Sequence, residues 1–157
     1  MSTAPDIDSV PDPDIDLTDR ASYAYWTPDV IRFADLDPLN HVNNVAFTTY
    51  FESGRVRFFK DAEAAIVSPE GSWMAVRLCV DFRAQLSYPG DVEIGTCVTR
   101  IGNSSMTVGA GLFSGEDCVA TAECVMVLVD PETSRSIRVP DKMRISLLGQ
   151  NPGAGSG

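Results

Sequence analysis

The stretch DLDPLNHVNNVAFTTYFESGRVRFFK, residues 35–60, sets a knot of polar groups directly ahead of a long apolar run. Asp35, Asp37, the chain's single histidine His41, and the carboxamides Asn40, Asn43 and Asn44 crowd the first ten positions. Beyond them Phe47, Tyr50, Phe51, Gly54 and Phe58 recur at i, i+3, i+4, i+7 and i+11, the spacing of one helix face. Val42, Val45, Ala46, Thr49 and Val56 supply a second apolar or small face, so the helix is expected to be extensively buried. Pro38 favours extended backbone at Asp37, and Asn40 is a good N-cap for a helix starting near His41 and running to about Ala64. The free N–H groups and positive dipole end of such a helix can polarise a carbonyl oxygen or hold an anion. A carboxylate beside those donors is the minimum equipment for acyl-transfer or hydrolytic chemistry.

Composition narrows the classes around that segment. A chain of 157 residues is read as one domain with a sizeable core. Half of the net charge of −10 lies in residues 1–20, where six aspartates face only Arg20. With no basic block or basic helix, nucleic acid is an unsuitable partner. Cys79, Cys97, Cys118 and Cys124 show no CxxC and no histidine pattern, so no metal site is expected, and the thiols read as reduced and buried. No apolar run reaches the roughly 20 residues needed to span a bilayer. No membrane partner is expected, and without a signal-peptide pattern the reading is a soluble, cytoplasmic protein.

Residues 1–22 are expected to be a disordered acidic tail, 23–148 the folded domain, and 149–157 a second disordered tail. Within the domain, Val30–Ala34 predicts a short strand, with Pro28 arguing against an earlier start. After the helix, four strands are predicted: one from Met74 to Phe82, one from Val92 to Thr99, one from Ser105 to Phe113 and one from Cys118 to Val129. Turn signals at Tyr88-Pro89-Gly90-Asp91, Gly102-Asn103 and Ser114-Gly115-Glu116-Asp117 separate the four. A short helix is predicted from Pro140. The sum is an α+β fold, a curved antiparallel sheet around one long central helix, with an exposed outer face and edge strands suited to self-pairing.

Arg32-Phe33-Ala34-Asp35-Leu36-Asp37, His41-Val42-Asn43-Asn44, and Tyr50-Phe51-Glu52 with Arg55 together resemble the hotdog-fold acyl-CoA thioesterases of the 4-hydroxybenzoyl-CoA thioesterase superfamily. Tyr88-Pro89-Gly90-Asp91, Gly102-Asn103-Ser104-Ser105 and Val127-Leu128-Val129-Asp130-Pro131 extend the resemblance over about residues 25–145. It implies an acyl-CoA substrate, no metal or other cofactor, and a homodimer or tetramer of dimers with active sites between subunits. It further implies Asp37 as the catalytic carboxylate, as base or nucleophile, and the main-chain N–H of Asn44 as the donor to the thioester oxygen.

Each residue also has a plainer reading. Asp37 can cap a helix, and Asp35 can be a supporting carboxylate that fixes the turn or His41. His41, Val42 and Asn43 are expected against the substrate, with His41 orienting rather than titrating. Glu52 and Arg55 read as a supporting pair, on the surface or at an interface. The aromatic stripe reads as core, although Phe58 and Phe59 are available to floor an acyl pocket. Arg55, Arg57, Lys60 and Arg100 are the cations at hand for coenzyme A phosphates. Two rivals are an enoyl-CoA hydratase or dehydratase on the same fold, whose Asp-x-Asn-Pro-x-His pattern is not matched, and a non-catalytic acyl-CoA-binding protein.

Overall fold

A computed structural model describes residues 15–62, 67–69 and 71–152. The alternating segments become six antiparallel strands: β1 Tyr25–Ile31, β2 Val67–Ser68, β3 Gly71–Phe82, β4 Gly90–Ile101, β5 Ser105–Ser114 and β6 Asp117–Val129. They form one sheet in the order β1-β4-β5-β6-β3-β2. Helix α1, Asn44–Asp61, lies against β4, β1 and β5, and a short α2, Asp141–Leu148, follows β6. Among the described residues no helix is long and apolar enough to cross a membrane.

Period-two alternation explains how the sheet holds the helix. Val92 and Ile94 of β4, Ala110 and Leu112 of β5 and Ala120 and Ala122 of β6 pack with Phe47, Tyr50 and Phe51 of α1. Phe58 and Phe59 join Val98, Ile101, Met106, Val108 and Leu128 in an adjoining cluster closed by Met143 and Leu147 of α2. The helix crosses the sheet where it has no side chain: a Cβ on Gly54 would stand 2.6 Å from Cγ2 of Ile94. At Gly115 the φ of +61° lets a two-residue connection join Ser114 to its partner Asp117.

Several boundaries differ from the sequence reading. β1 starts at Tyr25 and contains Pro28, tolerated because β1 is an edge strand, and Phe33–Asp35 is a 3-10 turn rather than strand. Only one face of α1 is buried; Val45, Val56 and Thr49 are exposed in the single chain. The helix ends at Asp61 with Ala62 as its C-cap, and Ala64 lies outside the described residues. Pro140 precedes α2 as its N-cap position. All four thiols are free, but only Cys97 and Cys124 are buried; Cys118 is half-buried and Cys79 exposed.

The two terminal boundaries also move. Residues 15–22, expected in the disordered tail, form a strap across the outer face of β4 and β5, opposite α1. Three glycines make the groove for it. A Cβ on Gly109 would stand 2.8 Å from Leu17, one on Gly111 2.8 Å from both Leu17 O and the Tyr23 hydroxyl, and one on Gly95 would enter the Tyr23 ring. The Tyr23 hydroxyl donates to Leu17 O at 2.6 Å, and the Arg20 guanidinium lies 4.2 Å from the Trp26 ring centre while reaching Glu93. At the other end Gly149–Pro152 is ordered, with the Asn151 carboxamide bonding both N and O of Val98. Residues 1–14 and 153–157 lie outside the described residues.

Candidate active site

The loop between β1 and α1 is a narrow reversal stapled at its base. Asn43 N–H donates to Asp35 O at 2.8 Å, Leu36 and Val42 form an isolated bridge, and Asp37 N–H donates to His41 O at 2.9 Å. Val42 N–H reaches across to Leu86 O at 2.9 Å, tying the loop to the segment before β4. This extension delays the helix. Asn40, read as the N-cap, instead holds φ +61°, a left-handed turn conformation that Asn tolerates. The cap is Asn43, whose Oδ1 accepts from Val45 N–H at 3.0 Å, and α1 starts at Asn44 rather than near His41.

Asp37 does cap, but it caps the turn and not the helix. Its Oδ1 accepts from Leu39 N–H at 2.8 Å and from His41 N–H at 3.4 Å, while Oδ2 accepts no hydrogen bond among the described residues. One carboxylate oxygen is thus held by backbone, and the other is unengaged among the described residues. At the helix mouth the N–H of Val45 is taken by the Asn43 side chain and those of Ala46 and Phe47 by Asn43 O. The Asn44 N–H has no acceptor among the described residues. Asp37 and Asn44 share one cleft of about 450 Å³, whose lining adds His41, Val42, Phe47 and Phe82.

Asp35 plays a different part. Its Oδ2 accepts from Arg32 N–H at 2.9 Å and from the Tyr50 hydroxyl at 2.5 Å. Burial, and next the hydrogen bond to Asp35, push the Tyr50 hydroxyl far above its ordinary range, so it stays protonated and donates.

Other expected site residues stand elsewhere. Phe58 is wholly buried against Tyr25 and Phe59 and does not line the cleft, because it faces the second core cluster. Asn43 is spent as the cap and is not among the lining residues. Glu52 is exposed and makes no ion pair with Arg55 among the described residues; the two stand on α1 away from the cleft. Arg55, Arg57, Lys60 and Arg100 do not line it either, whereas Arg83 and Gln85 do. Sequence reasoning passed over these two because nothing local marks them: the strand was read to end at Phe82, as it does, and only the fold brings the residues after it to the cleft. Among the described residues no cluster of three or more His, Cys, Asp or Glu is placed to hold a metal ion.

Comparison with known proteins agrees with this architecture. The crystal structure of the PA5185 protein from Pseudomonas aeruginosa is 28% identical with a TM-score of 0.76, covering 83% of this chain and 94% of its own. A predicted thioesterase from Bacillus stearothermophilus is 28% identical with a TM-score of 0.74, covering 80% and 95%. A thioesterase from Thermus thermophilus, solved in complex with coenzyme A and Zn, is 27% identical with a TM-score of 0.70, covering 80% and 92%. Residues 31–147 match the family model described as the thioesterase-like superfamily, and that span contains the cleft, α1 and five of the six strands entire. The chain therefore belongs to the thioesterase-like superfamily, with a hotdog fold and, at the level of the family, the character of a thioesterase.

Proposed function

We infer that the protein is an acyl-CoA thioesterase, releasing a free acid and coenzyme A from an acyl thioester. The observation that carries this reading is the pairing, in one cleft, of a carboxylate with an open oxygen and a helix-start N–H without an acceptor. The thioester carbonyl oxygen sits at Asn44 N–H, where the helix dipole and the amide stabilise the charge that develops as the carbonyl carbon becomes tetrahedral. Asp37 supplies the carboxylate, either taking a proton from the attacking water or attacking the carbonyl itself, in which case water then cleaves the resulting acyl–aspartyl anhydride to release the free acid and restore the carboxylate. Collapse of the tetrahedral species expels the thiolate of coenzyme A, which leaves as the thiol after gaining a proton. Val42, Phe47 and Phe82 give the acyl group an apolar wall, and His41 stands at the polar end of the same cleft. Coenzyme A in the Thermus relative supports the choice of thioester.

A second copy of the chain completes this picture. β3 pairs with β6 from Ser72 to Phe82 but with β2 only at Gly71 and Ser72, so its other edge is unpaired over most of its length among the described residues. Met74, Val76, Leu78 and Phe82 are exposed along it, an arrangement that pairing with another copy would cover. Phe82 lies both on that edge and in the cleft wall, so a homodimer formed there brings the partner beside the site.

The test is hydrolysis of short, medium and aromatic acyl-CoAs, followed with a thiol reagent against an enzyme blank that subtracts exposed Cys79. Asp37→Asn is expected to lose about 100- to 10,000-fold in kcat, the range for a positioned acid–base group. Wild-type rates from Asp37→Asn on every substrate would sink the proposal.

A further inference from the structure

We propose that Tyr50 is a positioning residue for the reaction: its hydroxyl, through Asp35, fixes the loop that carries Asp37 relative to the helix mouth that carries the Asn44 N–H. The inference rests on the functional reading above and adds a residue that does not touch the cleft.

Tyr50 is the seventh residue of α1, and its side chain is wholly buried. Side chains on a helix lean toward its N-terminus, so a long side chain set two turns in can return its tip to the helix mouth. Tyr50 does this. Its hydroxyl donates to Asp35 Oδ2 at 2.5 Å, the same oxygen that accepts Arg32 N–H at 2.9 Å. The carbonyl of Asp35 accepts Asn43 N–H at 2.8 Å, and Asn43 is the cap of α1. Asp35 therefore touches the body of the helix through its side chain and the start of the helix through its backbone. Asp37 is two residues further on, held by the Leu36–Val42 bridge and by its own bonds to Leu39 and His41.

The distance between carboxylate and oxyanion donor consequently depends on two ties at Asp35. One, to Asn43, is backbone and survives side-chain substitution. The other is the Tyr50 hydroxyl. Removing it leaves the ring in the core, between the same neighbours, but frees the 32–37 turn to shift against the helix. A displacement of about 1 Å at a reacting group costs up to about 100-fold in rate, with little effect on binding contacts remote from it.

The experiment measures kcat and KM for wild type, Tyr50→Phe, Asp35→Asn, Asp35→Ala, the Tyr50→Phe/Asp35→Ala double variant and Asp37→Asn, with folding monitored by near-UV circular dichroism. Tyr50→Phe is expected to lower kcat about 10- to 100-fold with KM within about twofold. Asp35→Asn, which keeps an acceptor oxygen for the hydroxyl, is expected to retain more kcat than Asp35→Ala. The double variant is expected to be no worse than Asp35→Ala, since both substitutions cut one tie. A Tyr50→Phe enzyme with wild-type kcat overturns the proposal, as do multiplicative losses in the double variant. If Tyr50→Phe does not fold, the order of Asp35→Asn and Asp35→Ala in kcat decides it, and equal losses overturn it. Failure of the underlying mechanism is seen separately, as full activity of Asp37→Asn.

Discussion

Substituting Gly54 by alanine tests the crossing that sets α1 on the sheet. In an exposed helix interior the change stabilises by about 1 kcal/mol, through backbone entropy alone. Here the new Cβ stands 2.6 Å from Ile94 Cγ2, 3.1 Å from its Cβ and 3.3 Å from Thr96 Oγ1. Carbon atoms in contact prefer about 3.5–4.0 Å, so the closest pair is short by roughly 1 Å. Ile94 is completely buried and β-branched, with few rotamers to escape into. Overpacking of this kind costs about 1–3 kcal/mol, which outweighs the helix propensity and leaves a net loss of about 1 kcal/mol, or roughly 2–4 °C in Tm for a domain of this size. The sign reverses when the obstacle is removed. Ile94→Ala alone is expected to cost about 2–5 kcal/mol, but in that background Gly54→Ala fills part of the void and stabilises. Urea unfolding of the four proteins at one fixed chain concentration gives the cycle from midpoints at constant m. A stabilising Gly54→Ala in the wild-type background, or an identical effect in both, would refute the close crossing.

Two further predictions follow from the sheet. Leu78→Asp places a charge on the unpaired β3 edge and is expected to turn a dimer into monomers in sedimentation equilibrium, while a variant that sediments like wild type would move the interface elsewhere. Burial raises the Cys97 thiol from 9.0 to about 12, and burial followed by the Asp61 hydrogen bond raises the Tyr25 hydroxyl from 10.0 to about 12. Each group keeps its proton in the folded state after losing it in the unfolded one, so stability is full below about pH 9 and falls as pH rises toward 12. Urea midpoints from pH 8 to 11 should decline, less steeply for Cys97→Ala; a flat wild-type profile would contradict the burial argument.

The strands and the body of α1 were legible because their signals are local. Val92, Ile94, Leu112 and Ala122 alternate, Gly115 marks a turn only glycine makes easily, and the Phe47–Phe58 stripe repeats at helical spacing. The helix start was misread because Asn40 and Asn43 are equally good caps in isolation. The choice between them was made at a distance, by the bridge of Leu36 to Val42 and the hydrogen bond from Val42 to Leu86. The acidic first turn of the described residues was read as tail on composition. Ile15 and Leu17 find their apolar surroundings only beside Cys97, Phe113 and a groove of glycines far along the sequence. Tyr50 was correctly placed in the core by its period, but periodicity describes which way a ring faces and says nothing of where its hydroxyl ends. The cleft's Arg83 and Gln85 follow a strand end that was read where it lies, at Phe82, but only the tertiary fold sets that segment beside Asp37 and Asn44.

The strap also has a consequence for the order in which the molecule is made. Arg20 bonds to Glu93 and to the carbonyl of Gly115, partners 73 and 95 positions later in the chain. At translation speeds of about 5–20 residues per second, the ribosome needs roughly 5 to 20 s after making the strap before the hairpin that receives it is complete. Throughout that interval Leu17 and Tyr23 have nowhere to dock, and their acidic neighbours Asp16 and Asp19 keep the waiting segment hydrated. Docking of the strap is therefore a late event of biosynthesis, and a nascent chain arrested before β5 would expose Arg20 to trypsin that the finished protein protects.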